Sequence, residues 1–156
     1  MKYFNSDLWM NIQNDKTRDE AEKQWNLNDK AYQKHYLQIR EKLPKHFIKI
    51  YEKEYGFHDF IISEIRITPK IYKTKRNQVN IFITLNNAEN QYVVEFKNVV
   101  SAKFNYADNI YCIGGNIAWG YTEFEILDNK QIKMSVLCDI KNEFEFVFTN
   151  VVIKKC

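Results

Sequence analysis

The stretch YGFHDFIISEIRI, residues 55–67, divides two different hydrophobic periods. Upstream of it apolar residues recur every three or four positions, the spacing of one helix face. Downstream they alternate, the spacing of a strand with one buried side. Gly56 stands where a helix end calls for a left-handed residue, which glycine supplies without a Cβ clash. Phe57 and Phe60 anchor the corner that follows. The division gives a helical segment, residues 1–56, and a strand segment, residues 57–156. At 156 residues the two form a single domain.

Working outward toward the N-terminus, NSDLWMNIQ reads as a short helix with Ser6 as its cap and Leu8, Trp9 and Ile12 on its buried side. Thr17 and Glu20 have the spacing of a capping box, which opens a long helix. Ala21, Trp25, Tyr32, Tyr36, Ile39 and Leu43 make its apolar stripe. Pro44 ends that helix and starts the next, because its ring fixes φ and removes an N–H that a first turn leaves unpaired anyway. Phe47, Ile48, Tyr51 and Tyr55 form the second stripe. The pair is a helical hairpin or one kinked helix.

Working outward toward the C-terminus, Val79, Ile81, Ile83 and Leu85 alternate in the second strand, and Asn86–Asn90 is a turn. QYVVEFKNVVSAKFNY is one long strand or two joined at a bulge. In WGYTEFEIL, alternation places Trp119, Tyr121, Glu123 and Glu125 on one face and Thr122, Phe124 and Ile126 on the other. IKMSVLCDI follows a DNKQ turn. EFEFVFTNVVIKK, with Phe144, Phe146 and Phe148 on one face, completes the set. Short connections permit hairpins rather than crossovers. The expected fold class is therefore α+β: N-terminal helices packed on a curved antiparallel β-sheet of about six strands, connected as a meander, with closure into a barrel left open.

Composition excludes several classes. A net charge of +3, from 23 basic and 20 acidic residues, is too small to mark a nucleic-acid binder by itself. Three widely spaced cysteines without a CxxC form neither a disulfide framework nor a zinc site. The first residues lack the apolar core of a signal peptide. No apolar run reaches the roughly 18–20 residues of a membrane span. The expectation is a cytoplasmic protein with reduced thiols, no membrane association and no cofactor.

The segments MKYFNSDLWMNIQ and GFHD, and the run from Trp119 to Lys155, resemble a family of small Firmicutes proteins of unknown function. The C-terminal pattern, a Tyr-x-Glu strand followed by two further strands, is also similar to strands of bacterial immunity-type proteins. Such proteins bind a partner toxin and block it. The resemblance implies a non-enzymatic binding protein with a protein partner such as a toxin, and it brings no catalytic residues.

Candidate site residues follow from chemistry. His58 and Asp59 could be a general base with its orienting carboxylate. On a strand, however, neighbours point to opposite faces, which favours two residues that hold the corner by bonding backbone. Glu123 and Glu125 beside Trp119 and Tyr121 could do acid–base work. The repeat of that pattern at Glu143 and Glu145 points instead to an acidic surface patch. His35, His46 and His58 show no metal-ligand spacing. Cys112 and Cys138 have no activating partner that the sequence can place. Gly114 and Gly115 match no phosphate loop, so they read as a turn. The densest basic run holds Arg66, Lys70, Lys73, Lys75 and Arg76, with Tyr72 alone to stack on a base. Lys73, Lys75 and Arg76 are its binding candidates, and a solvated loop explains them better than nucleic acid. The alternatives to a protein partner are thus a small-molecule or hydrolase pocket built on His58, Asp59 and Glu123, and a nucleic-acid surface over residues 66–76.

Overall fold

A computed structural model describes residues 1–70, 78–106, 117–138 and 142–156. Three helices precede the strands: α1 (Ser6–Ile12), α2 (Arg18–Ile39) and α3 (Lys45–Lys53). The α1 cap is Asn5, whose side chain accepts from Leu8 N at 2.8 Å. Ser6, the expected cap, instead donates to Glu143 across the molecule at 2.9 Å. Thr17 precedes α2, but its side chain makes no cap. The hydroxyl donates to the Asn11 carbonyl at 2.8 Å and so closes the α1–α2 turn in place of the capping box. The α2 stripe buries Ala21, Trp25, Tyr32 and Ile39, as its spacing requires. The second stripe buries Phe47 and Ile48 but leaves Tyr55 89% exposed, because the helix ends at Lys53.

The strands are β1 (Ile61–Lys70), β2 (Gln78–Asn86), β3 (Gln91–Val99), β4 (Ser101–Asn105), β5 (Ile117–Ala118), β6 (Tyr121–Ile126), β7 (Ile132–Leu137), β8 (Glu143–Phe148) and β9 (Asn150–Lys155). They form two antiparallel sheets, β5-β1-β2-β3-β9 and β4-β8-β7-β6. The α+β class therefore holds. The expectation of one meander does not. β4 pairs with β8, and β3 with β9, so the second set of strands runs back along the first.

Three stretches pass from one sheet into the other: β3 into β4, β5 into β6, and β8 into β9. Among the described residues, counted as continuous stretches, the strands are six, and their pairings run in a closed circuit. Strands that switch sheets at bends make the corners of orthogonally packed sheets. Each bend has a local cause. Asn98 has φ 54 just before β3 gives way to β4. Gly120 sits where a Cβ would lie 2.2 Å from the Leu137 carbonyl oxygen, so no side chain fits there. Thr149 interrupts what reads as one C-terminal strand.

Between the sheets lies the core, with Ile81, Ile83, Leu85, Phe96, Met134, Val136, Phe146 and Phe148 all almost fully buried. Phe96 and Phe146 stack at 5.1 Å between ring centres, one ring from each sheet. A second cluster of Phe4, Trp25, Tyr32 and Leu137 lies between α2 and the outer side of β6. Here the helix covers a strand edge. Tyr32 Oη accepts from Phe124 N at 2.9 Å. His35 Nε2 lies 3.1 Å from the Phe124 carbonyl oxygen, which can only accept, so Nε2 carries the proton. Two side chains thus take the place of a neighbouring strand along β6 and close an edge that would otherwise template aggregation.

Candidate functional site

The corner at residues 55–60 is wound the wrong way for L-residues. Tyr55, Gly56 and Phe57 have φ of 50, 73 and 61, and Asp59 has φ 67. For a residue with a Cβ the left-handed region costs about 1–2 kcal/mol. The surroundings hold it in place. Phe57 is fully buried against Phe60 and Trp119, edge to face. Asp59 N donates to the Trp119 carbonyl at 2.8 Å and Trp119 N to the Phe60 carbonyl at 2.7 Å, which extends the β1–β5 pairing into the corner.

This winding changes where the candidate residues point. Because Asp59 is left-handed rather than extended, strand alternation does not apply to it. His58 Nδ1 and Asp59 Oδ2 meet at 3.0 Å, a pairing the sequence reading discounts. His58 also sets its ring edge-on to Tyr121 at 5.0 Å. Trp119 goes elsewhere. It is 1% exposed in the main core, with Nε1 donating to Thr122 at 2.9 Å. The bend at Gly120 turns it away from the face it was expected to share with Tyr121, Glu123 and Glu125.

Glu123 is fully occupied. Its Oε1 accepts from Tyr3 N and Phe4 N, each at 2.7 Å, and its Oε2 accepts from Lys2 N at 2.8 Å. One carboxylate thereby holds three successive amides of the N-terminal segment. It borders a cleft of about 310 Å³ with His35, Glu125, Lys133 and Ser135, and His58 does not line that cleft. Glu125 is exposed there. The His58–Glu123 pocket therefore does not form. Nor do Glu143 and Glu145 make an acidic patch. Glu143 is bonded to Ser6. Glu145 sits between Lys103 and Lys133 at 3.1 Å each. Burial raises the Glu145 carboxyl, but the two lysines outweigh it and leave it below the ordinary range.

His58 opens onto a larger cleft, of about 490 Å³, between α2, the left-handed corner and the start of β6. Five of the ten tyrosines in the chain line it: Tyr32, Tyr36, Tyr51, Tyr55 and Tyr121. Burial pushes the Tyr51 phenol up to about 12. Tyr121 is also raised, first by burial and then by the negative charges of Asp59 and Asp29. At the far end Glu52 accepts from Tyr36 Oη at 2.9 Å and from Arg40 through both Nε and Nη2, at 2.6 and 2.7 Å. That fork ties α2 to α3 and pulls the Glu52 carboxyl below its ordinary range. Among the lining residues the sequence reading named only His58 and Tyr121 as site candidates. A signal for the rest exists in the spacing Asp29, Tyr32, Tyr36, one helix face carrying hydroxyls and a carboxylate where a plain core stripe carries aliphatics.

Among the described residues no three His, Cys, Asp or Glu side chains gather as a metal site. No helix among them is long and apolar enough to cross a membrane. Arg66, at the start of the basic run, stacks on Phe82 at 4.4 Å and lies 3.5 Å from Glu64. Lys73, Lys75, Arg76, Cys112, Gly114 and Gly115 lie outside the described residues. No family model, curated protein or solved structure matches the chain.

Proposed function

We propose that the protein is a non-enzymatic binding protein that acts through a protein partner, in the manner of immunity-type proteins, and that the tyrosine-lined cleft is where the partner docks. The observation that carries this reading is the cleft's lining. Tyrosine offers a large, stiff, amphipathic surface at low entropic cost, and for that reason it is enriched at interfaces. Tyr55 supports the reading most directly, since its ring is 89% exposed on a backbone held in a strained conformation. Strain of this kind persists where the surrounding structure over-determines it, and it clusters at functional positions. Glu123, the second carboxylate of the hydrolase alternative, is engaged by three amides and lines another cleft.

The test is affinity capture from the native host with the full chain and with Tyr55→Ala, whose exposed side chain contributes little to folding. A partner retained by the first and lost by the second supports the reading. A partner retained equally by both removes the cleft from it. A second reading keeps the same cleft but gives it a small molecule, favoured by the His58–Asp59 contact at 3.0 Å on its wall. Turnover of an ester, phosphate or glycoside by the chain alone, abolished in His58→Ala, would replace the binding reading with that one.

A further inference from the structure

We infer that the tyrosine-lined cleft receives a basic side chain, the guanidinium or ammonium head of an arginine or lysine on the partner. The inference rests on the binding reading above and adds the chemistry of what enters.

Charge is distributed unevenly over the surface. The chain has 23 lysines and arginines, yet none lines this cleft among the described residues. Two smaller clefts differ: one carries Lys2 and Lys133, the other Arg40, Lys45 and Lys49. The charged lining groups here are Asp29 and Glu52, and Asp59 reaches the same wall through His58. Glu52 is neutralised by Arg40, whose fork takes both its oxygens. Asp29 and Asp59 are not paired with any lysine or arginine among the described residues. Asp29 meets only the Gln33 amide, at 3.3 Å, and Asp59 meets the His58 ring, at 3.0 Å. Both act on the same ring, since both raise the Tyr121 phenol.

Aromatic rings beside carboxylates that hold no lysine or arginine select cations. Ring faces attract a cation by their quadrupole, more strongly as the pair is desolvated. The carboxylates add a charge-assisted hydrogen bond. A guanidinium uses both, because it stacks flat and donates in a fork. The volume, about 490 Å³, accepts such a side chain together with the backbone that carries it.

The test titrates the full chain with n-butylguanidinium and n-butylammonium, with neutral n-butylurea as the control, and follows tyrosine and backbone signals by NMR. Saturable shifts are expected at Tyr55, Tyr121 and Gln33, with the cations at least tenfold tighter than the urea. The double variant Asp29→Asn, Asp59→Asn should weaken the cations about tenfold and leave the urea unchanged. Equal binding of urea and cations, or cation binding undiminished in the double variant, overturns the inference. So do shifts confined to other surfaces. The outcome is separable from partner capture: cation binding here without a Tyr55-dependent partner removes the binding reading alone, and a captured partner without cation preference removes this inference alone.

Discussion

Glu123 does the work of a neighbouring strand for the N-terminal segment. Its two oxygens accept three amides, from Lys2, Tyr3 and Phe4. In Glu123→Gln the second oxygen becomes an amide donor facing a donor. One bond is lost and one buried N–H is stranded, so urea denaturation should show a loss of about 2–4 kcal/mol. Amide exchange at Lys2–Phe4 should accelerate well before global unfolding. Tyr55→Gly should move stability the other way. Removing a left-handed tyrosine relieves about 1–2 kcal/mol of strain. Glycine returns about 0.5–1 kcal/mol of that as chain entropy. A thermal melt should therefore show an unchanged or slightly raised midpoint, while partner capture falls. At this scale the sequence was legible only for local contacts. Gly56 as a helix end could be read, since a helix terminus has a local signature. The role of Glu123 could not, because its partners lie 119 to 121 residues away. The shift of the first cap from Ser6 to Asn5 has the same cause: Glu143, far along the chain, takes the serine hydroxyl.

Elements were read more fully than the bends between them. Period-two alternation is a property of the strand itself, so Ile81, Ile83 and Leu85 could be placed on the buried face without knowing what they face. A bend needs knowledge of the neighbouring strand. Gly120 shows this, since only the Leu137 carbonyl 2.2 Å from its would-be Cβ makes it obligatory. Gly120→Ala should destabilise by about 3 kcal/mol, at the upper end of overpacking costs, measurable as a lowered urea midpoint. Trp119 fluorescence should shift to the red as the bend loosens. The helix-capped edge of β6 makes a milder prediction. Tyr32→Phe keeps the ring packing and removes the acceptor for Phe124 N, at a cost of about 1–3 kcal/mol. Exchange of the Phe124 amide is the direct measurement.

For the whole molecule, the closed circuit of pairings decides how the fold is lost. Because three stretches belong to both sheets, neither sheet can unravel while the other stays intact. Far-ultraviolet circular dichroism and Trp119 fluorescence should give superimposable urea transitions, as two-state unfolding requires. Acid should weaken that state through carboxyls held below their ordinary range by partners, Glu52 by Arg40 and Glu145 by its lysines. A group depressed in the folded state stabilises above its unfolded pKa and loses that contribution as pH falls through the folded value. The urea midpoint should therefore decline from about pH 5 downward. Arg40→Ala should flatten part of that decline. The circuit itself was not legible from the strand list, because which stretches pair depends on contacts between residues 91–105 and 143–155, and the short turns that guide a meander say nothing about them. The N-terminal clamp has one more consequence, in the order of events during synthesis. Lys2–Phe4 are made about 120 residues before Glu123, which at about 5–20 residues per second leaves them waiting roughly 6–24 s for the carboxylate that receives them. Those residues thus leave the ribosome well before the carboxylate that seats them exists.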